Sequence, residues 1–88
     1  MARFEAMGNA LVEMSASGNP EILFELGMLY STGRTGKIDL IAAHKWFNIA
    51  AAKGNDTARA RREEIAVQMS KSEIASAQRA AREWITLH

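Results

Sequence analysis

Cysteine is absent from these 88 residues. That excludes a disulfide framework, thiol chemistry and any Cys-based zinc site, and permits a reducing compartment. Net charge is also nearly absent, at +1, so bulk electrostatics favour neither nucleic acid nor an anionic membrane. No apolar run approaches the roughly 20 residues of a membrane span. The N-terminus lacks the basic segment, apolar run and small-residue cleavage site of a signal peptide, so a cytoplasmic location is expected. Proline occurs once and glycine six times, and these breakers fall mostly between helical patterns.

What is present is apolar. At 48% of residues it suffices for a thin core in one small domain spanning 1–88. The chain is organised around Gly33 to Gly54, GRTGKIDLIAAHKWFNIAAAKG. Asp39 is placed to cap a helix that Gly54 stops. On a wheel of roughly 100° per residue, Leu40, Ala42, Ala43, Trp46, Phe47, Ile49 and Ala50 cover about half the circumference. His44, Lys45 and Asn48 fall opposite, which places His44 on the surface. So wide a stripe calls for neighbours on two sides.

Around it the pattern is helical throughout. Residues 3–15 repeat Phe4, Met7, Leu11 and Met14 at helical spacing, with Gly8 a weak point or a close contact. Gly18 ends that helix, Asn19 caps the next and Pro20 opens it. From Pro20 to Ser31, Ile22, Leu23, Leu26, Leu29 and Tyr30 share a face, bordered by Gly27, which lets another backbone come close. Phe24 and Met28 lie opposite, beside Glu21 and Glu25. A loop follows, punctuated by Gly33 and Gly36. Asn55 or Asp56 caps a fourth helix, about 56–69, with a weak stripe of Ala58, Ile65, Ala66 and Met69 that includes Arg62. Ser70 and Glu73 fit the capping box of a fifth, striped by Ile74, Ala77, Gln78, Ala81, Trp84 and Ile85. No segment alternates like a strand. The expectation is an all-α fold, a short α/α solenoid of about five antiparallel helices.

Two marks recur. Gly18-Asn19 returns as Gly54-Asn55, 36 residues on, and Ala43-x-x-Trp46-Phe47 returns as Ala81-x-x-Trp84-Ile85, 38 residues on. Periods of this size in helical sequence indicate two-helix repeats. Further, Leu26-Gly27-x-x-Tyr30-x-x-Gly33, then Asp39, then Ala43-x-x-Trp46-Phe47-x-x-Ala50-Ala51-x-x-Gly54 resembles the SEL-one-like repeat, a relative of the tetratricopeptide repeats. The best repeat is 22–54, with degenerate flanking copies at 3–18 and 55–87. The last is similar to a terminal variant found in bacterial members. The chain departs from the family in its loop, Gly33-Arg34-Thr35-Gly36, and in carrying Arg62-Glu63 where the family has Leu-Gly. A charged pair there suits an end facing water. The resemblance implies stacked helices that act as an adaptor or scaffold for partner proteins, with no catalysis. It makes Leu26, Gly27, Tyr30, Ala43, Trp46, Phe47, Ala50 and Trp84 the structural core.

Candidate contacts for a partner protein or peptide are Glu21, Phe24, Glu25, Met28 and Arg34, an apolar pair with a charged rim. The competing reading is that the first helix covers Phe24 and Met28. Trp46 and Trp84 read as core, not as ligand-stacking aromatics. Gly33-x-x-Gly36-Lys37 lacks the spacing, hydroxyl residue and preceding strand of a phosphate loop. His44 and His88 have no companion ligands at metal spacing. No nucleophile motif is present, and Glu63 and Glu64 diverge on a helix. No catalytic residue, metal or cofactor is expected. The alternative function is a small regulator touching nucleic acid through Arg59, Arg61, Arg62, Arg79 and Arg82 on helices four and five. Interleaved Glu63, Glu64, Glu73 and Glu83 favour a salt-bridged face instead. Three units are the usual minimum for a continuous repeat core. The sequence therefore leaves open a capped monomer, a homodimer, or excision from a longer repeat protein, since it begins as though in mid-repeat.

Overall fold

The computed structural model describes residues 10–34 and 36–88. Phe4, Met7, Gly8 and Thr35 lie outside the described residues. Residues 10–15 are helical (α1), followed by α2 (Pro20–Thr32), α3 (Leu40–Ala52), α4 (Asp56–Ala66) and α5 (Lys71–Leu87). No strand occurs among the described residues.

Local chemistry sets these boundaries. Each helix from α2 onward starts on a side-chain cap that satisfies an otherwise unpaired N–H. Asn19 accepts from the Glu21 amide, Asp39 from Ala42 and Asn55 from Ala58. At α5, Ser70 accepts from the Glu73 amide while the Glu73 carboxylate accepts from the Ser70 amide. Gly33 closes α2 in the left-handed conformation, φ 74°. The loop after it is tied back by the Asp39 amide, which donates to the Tyr30 carbonyl at 3.0 Å. The fourth helix stops three residues short of the expected Met69. There the amides of Gln68 and Met69 reach back only three residues, to Ile65 and Ala66, and tighten the last turn. Met69 still turns into the core, 9% exposed.

The core sits around α3, which packs against α2, α4 and α5, while α2 also touches α4. Its buried residues run from Ala43 through Trp46, Phe47, Ile49, Ala50 and Ala51. From α2 come Leu23, Leu26 and Leu29; from α4, Ala58 and Ile65; from α5, Ala77, Ala81 and Trp84. Three neighbours explain why His44 is buried rather than on the surface, at 3% exposure. The buried arc of α3 is wider than its apolar arc. Conversely, α5 meets a single packed seam, Ala77, Ala81 and Trp84. Ile85 and Gln78, expected in its stripe, are exposed, and Ile74 is half-buried. The radius of gyration, 11.9 Å, matches the roughly 12 Å of a compact domain this long.

Candidate functional site

The residues expected to meet a partner lie along α2 and the loop after it. Glu21 and Glu25 are exposed, one turn apart. Arg34 reaches back to Glu25, with 3.8 Å between guanidinium and carboxylate and both side chains about half exposed. Phe24 and Met28 are not on a free face. Both are half-buried and packed against the core, and the Phe24 ring lies tilted against Phe47 with centroids 5.7 Å apart. The wheel placed them opposite Leu23 and Leu26. The actual buried arc extends past Gly27 toward them, because Gly27 brings α2 close to α3.

Among the expected core residues, Leu26, Gly27, Ala43, Trp46, Phe47, Ala50 and Trp84 are buried. Tyr30 is half-buried at the edge of the core. The two tryptophans meet edge to face, centroids 6.0 Å apart. Outside them, Lys45 holds its ammonium 4.3 Å from the centre of the Trp46 ring. Burial lowers the Lys45 pKa, and Glu83 partly offsets this. His88 stacks on Trp84 at 4.2 Å, and its Nδ1 lies 2.9 Å from the Trp84 carbonyl.

The arginine concentration is distributed. Arg59 pairs with Asp56 at 3.5 Å and Arg61 with Glu64 at 3.1 Å, each within α4. Arg62 does not face water as an end residue would. It is half-buried and donates to the Asn48 side-chain carbonyl on α3 at 2.6 Å. Glu63, its neighbour, is exposed. Arg79 and Arg82 are exposed on α5 and, with Thr86 and Leu87, line a shallow groove.

Two further surface features went unread in the sequence. A polar cleft joins the turns before α2 and α4, lined by Asn19, Glu21, Asn55 and Asp56. A second groove runs between the α2–α3 loop and the α4–α5 turn, past Ile38, Leu40, Ile41, Gln68 and Glu73. Ile38 is 58% exposed and Val67, next to Gln68, 86%. Ile38 lies in the loop, where helical periodicity carries no signal, and Val67 lies in the expected last turn of the fourth helix, which ends earlier, at Ala66. Among the described residues no group of three or more His, Asp or Glu side chains converges as a metal site. No described helix is long and apolar enough to cross a membrane.

Comparison with family models, with curated proteins and with solved structures finds no match to this chain. The resemblance to the SEL-one-like repeats therefore rests on the motif residues themselves.

Proposed function

We propose that this chain is a protein-interaction adaptor or scaffold, a short solenoid of antiparallel helices in the manner of the SEL-one-like and tetratricopeptide repeats. On this reading it is one well-formed repeat, 22–54, between degenerate neighbours, related to the terminal units of bacterial members. The observation that carries it is the pairing of repeat marks. Gly18-Asn19 and Gly54-Asn55 each join a left-handed glycine to an asparagine N-cap. Ala43 with Trp46 and Ala81 with Trp84 are each buried, and the two tryptophans meet. Equivalent residues with equivalent environments support a duplicated plan. The contact of α3 with α2, α4 and α5 supports a central helix stacked between units.

Docking then uses the surface of α2 and its following loop. Glu21, Glu25 and Arg34 supply charged contacts, and the half-buried Phe24 and Met28 supply apolar area at the edge of the core. The test is capture of binding proteins from native lysate, with a Glu21→Lys/Glu25→Lys variant as the comparison. Both positions are exposed, but the reversal sets lysines in the first turn of α2 and opposite Arg34, so a stability loss of about 0.5–2 kcal/mol is expected and the melting curve must show a folded variant. Loss of a captured protein with folding intact is the expected result. An unchanged captured set removes α2 as the binding surface.

A further inference from the structure

The buried face of α3 carries a titratable group with no use in the docking surface. His44 is 3% exposed, and its Nδ1 has no hydrogen-bond partner. One turn further along α3, Asn48 accepts from Arg62 of α4 at 2.6 Å. That bond brings a guanidinium into the same seam.

Neighbouring carboxylates are committed elsewhere or face water. On α2, Glu21 and Glu25 are exposed, and Glu25 meets Arg34. On α4, Asp56 pairs with Arg59 and Glu64 with Arg61, while Glu63 is exposed. On α5, Glu73 closes the helix cap and Glu83 acts on Lys45; Lys71, Arg79 and Arg82 are exposed cations. Within α3 itself, Lys45 is a further cation, over Trp46. Among the described residues, the charge acting on His44 is Arg62, and it opposes protonation.

The apolar hold on α4 is also thin. Only Ala58 and Ile65 within the helix are buried, against Leu23, Leu26, Gly27 and Leu29 in α2.

We propose that the α3–α4 seam is an acid-sensitive joint with His44 as its trigger. A proton taken up there puts a cation into the buried side of α3, one turn from the Asn48 that Arg62 of α4 already bonds, and α4 parts from α3 while α2 stays docked. The direction follows from linkage. Burial first, and Arg62 second, lower the His44 pKa below its ordinary 6.5, against a smaller raising effect of a backbone hydrogen bond. The closed state therefore refuses a proton that the open state accepts. Closure is fully favoured above pH 6.5 and weakens as pH falls from there toward the lowered folded value.

Hydrogen exchange from pH 7.5 to about 5.5, corrected for intrinsic exchange rates, tests this. A single proton difference raises opening by up to about tenfold at the acid end. The expected result is that amides of α4 lose protection by that factor while amides of Leu26 to Leu29 do not. His44→Gln and His44→Phe should both abolish the pH dependence, the second also filling the site if the first folds poorly. His88 is retained in both variants, so any dependence that survives belongs to His88 or elsewhere and overturns the proposal. Equal loss of protection in α2 and α4 overturns it as well, since it marks global unfolding.

Discussion

Gly27 lies hard against the ring of Phe47. A Cβ built on it would overlap the ring, with the Phe47 Cγ at 2.8 Å and two other ring carbons closer still. In an open helical position, Gly27→Ala would stabilise by about 1 kcal/mol. Here overpacking reverses the sign, and a loss of about 1–3 kcal/mol is expected. Urea denaturation checks it. Adding Phe47→Leu should recover part of the loss, because the smaller side chain yields the space. A stabilising Gly27→Ala would show that α2 and α3 do not approach this closely.

The tryptophan pair invites a coupling measurement. Trp46 is 5% and Trp84 8% exposed, so truncating either to alanine should cost about 3–5 kcal/mol. Edge-to-face geometry adds about 0.5–1.5 kcal/mol beyond buried area. A double-mutant cycle with Trp46→Leu and Trp84→Leu should return a coupling of that size. Strict additivity would mean that the rings pack independently.

The asparagine caps make a third test. Asn19→Ala and Asn55→Ala each remove the acceptor for a first-turn amide, at an expected cost of about 0.5–2 kcal/mol. Asn55→Asp should be tolerated, since a carboxylate accepts the same bond and suits a helix N-terminus. Thermal melts of the three variants decide it. An Asn55→Ala variant as stable as the parent would mean the cap bond contributes nothing net.

These local features were legible because they are local. A cap acts over three or four residues, so Asn19, Asp39 and Ser70 could each be placed from their neighbours alone, while Asn55 stayed one of two candidates with Asp56 and Gly33 was read only as a loop glycine. The packed tryptophans were legible for a similar reason, since a large ring in an apolar stripe has few alternatives. Legibility failed where burial depends on how many neighbours a helix has. A wheel divides α3 into an apolar and a polar half, yet three packed helices bury His44 from the polar half. The same blindness set Phe24 and Met28 opposite the buried stripe and left open whether they were covered, whereas both pack against the core, Phe24 on Phe47. Ile85 shows the converse: its stripe was correct in period, but the seam on α5 is too narrow to include it.

Arg62 is the remaining departure, and its pairing with Asn48 makes a prediction of its own. Within the weak apolar stripe of α4, the arginine makes a bond across to α3 where an apolar side chain would pack. Both partners are half-buried, and removing one strands the other. Asn48→Ala should therefore cost about 1–3 kcal/mol, since it leaves a half-buried guanidinium without its acceptor. Adding Arg62→Leu should recover most of that loss, because an apolar pair needs no polar partner and suits the neighbouring Ala58 and Ile65. Chemical denaturation of the two single variants and the double variant measures the coupling. A double variant no more stable than Asn48→Ala alone would show that the Asn48–Arg62 bond is an exposed contact of little consequence, and that the arginine is held in place by its aliphatic stem.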